Sequence, residues 1–103
     1  MDPIEVIRGK VRAGEYEFSR HATDASILRN ISVAEIREAL LDGEIIEDYP
    51  FDKYGPSCLV LGRTTSGKIL HVQCSHASRR FVKIVTTYEP DTDRWIDSRT
   101  RRR

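Results

Sequence analysis

Three histidines and an excess of arginine in the second half of the chain are the side chains best suited to chemistry here, and the setting of each limits what it can do. His21 follows Ser19-Arg20, and Ser19 reads as the N-cap of a helix running to about residue 30. In that first turn the positive end of the helix dipole disfavours imidazolium, which keeps a neutral base available near pH 7. Arg29 comes eight residues later, about 80° round the helix and roughly 12 Å along it, so the two can border one groove without touching. A half-buried capping residue is the other reading of His21. His71 lies mid-strand between Leu70 and Val72, where a sheet ordinarily takes a β-branched or aromatic residue. It reads either as a cross-strand hydrogen-bond partner or as an acid/base. His76, just before Ala77-Ser78-Arg79-Arg80, reads as an exposed loop residue.

Several chemistries are excluded by what the chain lacks. It has no GxGxxG, no GxxxxGK[ST] and no GxSxG, so nucleotide-dependent and serine-triad reactions drop out. Glu47 and Asp48 are neighbours on a strand and point to opposite faces, so they form no carboxylate pair. The two cysteines, Cys58 and Cys74, form no CxxC and offer no zinc scaffold; they are expected on opposite faces of the sheet, as small buried residues rather than a disulfide. His21, His71, Arg29 and Tyr88, with no metal and no cofactor, suit RNA cleavage through the substrate's own 2′-hydroxyl. A neutral imidazole takes the hydroxyl proton, a guanidinium stabilises the phosphorane, and a second imidazole or Tyr88 protonates the leaving 5′-oxygen. Arg20, Gln73, Arg79 and Arg80 are the further candidates for contact with the RNA. The alternative is a non-catalytic RNA- or protein-binding module using the same open sheet face.

The elements that must position these groups are legible in outline. Ile4, Ile7 and Val11 predict a first helix opened by Asp2-Pro3 and closed near Gly14. Tyr16-Glu17-Phe18 alternates as a short strand, and Ser32-Val33-Ala34-Glu35 is a capping-box pattern for a helix ending at Asp42-Gly43. From Glu44 the period becomes strand-like: 44–49, 57–63, 68–76 and 81–88, with Thr64-Thr65-Ser66-Gly67 as a hairpin turn. Helices followed by a meander predict an α+β domain, with helices on one face of a twisted antiparallel sheet of four to five strands. An even-length turn puts Leu59 and Leu61 on the helix side with Leu70, Val72 and Cys74, and His71 on the open side with Val60, Ile69 and Gln73. Trp95 is expected to fold back and pack.

With 103 residues, 39% hydrophobic and 32% charged, the chain is expected to form one domain over residues 1–96, followed by a mobile basic tail at 97–103. No stretch is long and apolar enough for a membrane span, and the acidic N-terminus is no secretory signal, so a cytoplasmic location is expected. The net charge of +1 hides 7 basic against 12 acidic side chains in residues 1–60 and 10 against 4 thereafter. A basic half of this kind suits a polyanionic partner such as RNA; the other reading is a solvated, idle tail.

One resemblance joins these features. It is carried by Ser19-Arg20-His21-Ala22 with Arg29 and Ile31, by Gly43 to Pro50, Gly55-Pro56-Ser57, Leu61-Gly62 and Leu70-His71-Val72, and by Ile84 to Asp91 with Trp95. In order and type these resemble a bacterial domain-of-unknown-function family grouped with RelE-, BrnT- and MqsR-like toxins, over about residues 16–96. The resemblance implies a RelE- or barnase-like fold and a metal-independent endoribonuclease, the toxin half of a toxin–antitoxin pair whose partner is an MqsA-like zinc-finger antitoxin. It places the family's recurrent histidines on His21 and His71, its helix arginine on Arg29, and its last-strand threonine and tyrosine on Thr86 or Thr87 and Tyr88. Relatives carry an Arg-Met pair inside the second helix, where this chain has Ala25-Ser26-Ile27.

Overall fold

Local capping starts each helix where the sequence places it. The computed structural model describes residues 2–53, 55–76 and 80–103. Asp2 accepts a hydrogen bond from the Ile4 amide ahead of Pro3, opening α1 (Pro3–Arg12). Ser19 accepts from Ala22 at the start of α2 (Arg20–Leu28), and a reciprocal Ser32–Glu35 capping box opens α3 (Val33–Asp42). The strands are β1 (Tyr16–Phe18), β2 (Glu44–Tyr49), β3 (Ser57–Arg63), β4 (Ile69–Ser75) and β5 (Val82–Tyr88), with a small hairpin of β6 (Trp95–Ile96) and β7 (Thr100–Arg101). The architecture is α+β, as the helix-then-strand order predicts. The five-stranded sheet runs β1-β5-β4-β3-β2 and is mixed rather than wholly antiparallel, because β1 joins β5 in parallel.

One face of the sheet carries the core. Ile4, Ile7 and Val11 of α1, Ala22 of α2, and Ile36, Ala39 and Leu40 of α3 pack on Cys58, Val60, Leu70, Val72, Cys74, Val82 and Ile84. Burial of these side chains is the main force holding helices to sheet. Gly62 marks the closest approach: a Cβ there would lie 1.9 Å from the Ala39 carbonyl oxygen. The helix α3 therefore rests directly on β3, and only glycine fits beneath it.

Three irregularities decide which side chains face away from the helices. The β3–β4 turn is odd, not even. Arg63 pairs with Ile69 and the Thr64 amide donates to the Lys68 carbonyl, leaving Thr65, Ser66 and Gly67, the last at φ 91°. This corrects the sequence reading of β3: Cys58 and Val60 face the helices, while Leu59 and Leu61 share the open face with His71 and Gln73. It also brings Cys58 and Cys74 opposite each other on the core face, with their sulfurs 4.0 Å apart and both thiols free, rather than on opposite faces. A bulge between Ile45 and Glu47 keeps Ile45 in the core and turns Glu47 and Tyr49 outward. A second bulge, opposite Gln73 and Cys74, leaves Ile84 inside and puts Thr86 and Tyr88 on the open face.

Within residues 97–103, expected as a mobile tail, the chain turns and pairs back on β6 as β7. Asp97 and Ser98, at φ 52° and 61°, turn the chain between β6 and β7. The resulting hairpin lies across the open face. Trp95 is 4% exposed against the His71 ring, Arg99 pairs with Glu44, and Arg101 pairs with Glu47.

Candidate functional site

The open face and its covering hairpin enclose a cavity of about 390 Å³, lined by Arg29, Thr86, Tyr88, Glu89, Asp91, Arg94, Trp95 and Arg101. The lining residues come from three elements of the fold: the end of α2, the later half of β5 with the chain that follows it, and the C-terminal hairpin. β1 pairs only with Val82, Lys83 and Ile84, so the later half of β5 has no strand on that side. Ser19 Oγ donates to the Val85 carbonyl there, and Arg29, at the end of α2, donates from Nη1 to the Thr87 carbonyl at 3.0 Å. These bonds cap an otherwise open edge and fix Arg29 beside the open face. Thr86 and Tyr88 reach the cavity through the β5 bulge, and Trp95 and Arg101 come from the C-terminal hairpin.

His71 lies beneath this cavity and does not open into it. Its ring is fully buried, edge-on to Trp95 at 4.4 Å between centroids and to Tyr88 at 5.3 Å. Nε2 is 2.5 Å from the Ser98 carbonyl oxygen, and Nδ1 is 3.3 Å from the Tyr88 hydroxyl. A carbonyl only accepts, so Nε2 carries the proton and Nδ1 accepts from Tyr88. Burial holds the imidazole below its ordinary pKa, opposed by the Ser98 carbonyl and the negative charge of Glu47. Burial likewise raises the Tyr88 phenol, with Arg101 and Arg29 pulling the other way and Glu47 adding to the rise. The result is a neutral, fixed imidazole behind a phenol that stays protonated at neutral pH.

On β2, Glu47 and Tyr49 face the same hairpin. The Tyr49 hydroxyl is 2.5 Å from Glu47 Oε1, and burial followed by that hydrogen bond raises its pKa to about 12. Burial pushes the Glu47 carboxyl up, but hydrogen bonds from Arg101 and Tyr49 outweigh it and leave the group below the usual carboxylate value.

The structure brings Arg29, Thr86 and Tyr88 together at this cavity, with His71 directly behind Tyr88. It does not bring His21 to them. His21 is exposed on the first turn of α2, whose start is pinned at Ile84 and Val85. His71 pairs with Tyr88, four residues or roughly 13 Å further along β5, and faces away from the helices. The two imidazoles expected to share one pocket lie on different faces of the sheet. Arg20 is exposed beside His21. Thr87 is buried on the core side, where its hydroxyl donates to the His71 carbonyl. Gln73 is on the open face but donates to Ser57. Arg80 pairs with Glu15 and lies 5.4 Å from the Phe81 ring, away from the cavity, and Arg79 lies outside the described residues. His76 lies just past the end of β4, outside the strands as expected, and contacts Asp48 at 2.7 Å.

Sequence reasoning missed Arg94, Trp95, Arg101 and Glu47 as site residues. The signal available was the opposite charge of the acidic strand 44–49 and the arginine-rich end of the chain. Among the described residues no group of three or more His, Cys, Asp or Glu is arranged to hold a metal ion, and no helix is long and apolar enough to cross a membrane.

A helix-covered mixed sheet, with a cavity on its open face lined by three arginines and two carboxylates, defines a small α+β domain. The family model described as Domain of unknown function (DUF4258) matches residues 18–89, most of the chain, and the protein belongs to that family. No curated protein and no solved structure gives a significant match.

Proposed function

We propose that this domain is an endoribonuclease that cuts single-stranded RNA by 2′-hydroxyl attack without a metal, acting as the toxin of a toxin–antitoxin pair. The observation that carries the reading is the cavity itself, lined by three arginines, two carboxylates and Tyr88, whose phenol bonds a fully buried imidazole. Arg29, Arg94 and Arg101 supply positive charge where the phosphorane oxygens become more negative. Glu89 or Asp91 takes the 2′-hydroxyl proton as the 2′-oxygen bonds to phosphorus. The bond from phosphorus to the 5′-oxygen then breaks, and the Tyr88 hydroxyl, turning its proton from His71 Nδ1 to the leaving oxygen, donates it, giving a 2′,3′-cyclic phosphate and a free 5′-hydroxyl. In this scheme His71 touches no substrate; it positions Tyr88. The toxin assignment draws on the resemblance to RelE-, BrnT- and MqsR-like proteins, and the implied partner is an MqsA-like zinc-finger antitoxin.

The test is incubation of the purified protein with single-stranded RNA in EDTA. Cyclic-phosphate products are expected, and Tyr88→Phe should lower the rate by about 100-fold while leaving RNA affinity within about threefold. Equal rates for the two proteins would remove Tyr88 from the mechanism. A second reading, an RNA-binding module without turnover, is favoured by one observation: both ring nitrogens of His71 are already engaged. It is selected if RNA binds with full salt sensitivity and stays intact.

A further inference from the structure

Arg101 reaches the cavity from a strand of only two residues, and its side chain is 60% exposed. A long exposed arginine loses rotamer freedom when it binds an anion, unless something has fixed it beforehand. Here it is fixed. Nε donates to both carboxylate oxygens of Glu47, at 3.1 and 2.9 Å, while the guanidinium carbon stands 4.7 Å from the centre of the Trp95 ring. The carboxylate is in turn held by the Tyr49 hydroxyl. Both contacts to Glu47 use Nε, and among the described residues no hydrogen bond runs from a terminal nitrogen of Arg101 to a carboxylate. Glu47 and Tyr49 stand on β2, at the far edge of the sheet from Arg29, and neither lines the cavity.

Building on the reading that the cavity takes RNA, we propose that Glu47 and Tyr49 are positioning residues: they hold Arg101 so that its terminal nitrogens, with Arg29, receive one phosphodiester of a single strand. The chemistry separates this role from a bystander carboxylate by sign. Removing an idle negative charge beside a polyanion site tightens RNA binding, because one repulsion disappears. Removing the group that orders Arg101 weakens it, because a charge-assisted contact is no longer preorganised.

The experiment measures binding of a short single-stranded RNA carrying 2′-O-methyl groups, which has no free 2′-hydroxyl to attack, by anisotropy of a labelled end. Glu47→Gln is expected to weaken binding about tenfold, the order of one charge-assisted hydrogen bond. The slope of log K against log salt should flatten by roughly 0.7, the value for one phosphate contact on a single strand. Tyr49→Phe should weaken binding by a smaller factor, about threefold, and stands in if Glu47→Gln does not fold, as thermal melting will show. Arg101→Ala should cost no more in the Glu47→Gln chain than Glu47→Gln alone. Unchanged or tighter binding in Glu47→Gln, full additivity with Arg101→Ala, or no binding by the unaltered protein each overturns the inference. Tight binding of this oligomer with no cleavage of ordinary RNA removes the nuclease reading and leaves the positioning role in place.

Discussion

The imidazole of His71 is the residue on which the open face is organised. It is fully buried, donates to the Ser98 carbonyl of the covering hairpin, and accepts from the Tyr88 hydroxyl. Replacing it by alanine leaves a cavity under Trp95 and two polar groups without their partner, so His71→Ala should cost about 3 kcal/mol in urea denaturation. Its depressed pKa fixes the sign of the pH effect. Below the ordinary histidine value of about 6.5 the unfolded chain takes up a proton that the folded chain resists. The stability due to His71 is therefore complete above that pH and declines as pH falls through it. Denaturation midpoints between pH 5 and 8 should show this decline in the native protein and lack it in His71→Ala; parallel curves would refute it. Glu47, held low by Arg101 and Tyr49, adds a second loss only as pH drops through the carboxylate range.

Among the elements, the contact of α3 with β3 is the least forgiving. Gly62 lies under the Ala39 backbone so closely that a methyl group cannot enter without lifting the helix. Gly62→Ala should lower stability by about 1–3 kcal/mol in urea denaturation, as overpacking does, and an unchanged midpoint would show that α3 can shift freely. The facing cysteines test the register of β3 and β4. Cys58 and Cys74 are completely buried, and the hydrogen bond between the two thiols together with burial pushes the Cys74 thiol well up. The thiolate is the reactive form, so native protein at neutral pH should resist alkylation and react only once urea has unfolded it. Rapid alkylation of either thiol in the native state would contradict their placement in the core.

For the molecule as a whole, charge separation along the chain becomes charge pairing in space. The acidic strand β2 and the arginine-rich hairpin meet through Glu44–Arg99 and Glu47–Arg101, while Arg29, Arg94 and Arg101 line the cavity. Single-stranded RNA with one phosphodiester shared by Arg29 and Arg101 and a second on Arg94 should bind with a log K against log salt slope of about −1.4, at about 0.7 per phosphate contact. A slope near zero would show that charge plays no part. The helices, their caps, the strand order in sequence and the core stripe of α1 could be read from the chain, because capping and helical periodicity depend on residues within a few positions of one another. The roles of Arg29, Tyr88 and His71 could be read only as a set of candidates. Which of them meet was decided by features that local sequence does not encode: an odd hairpin turn and two bulges. Each reverses the alternation of a strand, moving Leu59, Glu47, Thr86 and Tyr88 to the open face. The folding back of residues 95–101 over His71 depends on contacts between groups distant in the chain, His71 with Ser98 and Glu47 with Arg101. Local pattern determined the elements; long-range packing determined the site, since a one-residue change in register sends a side chain to the opposite face of the sheet.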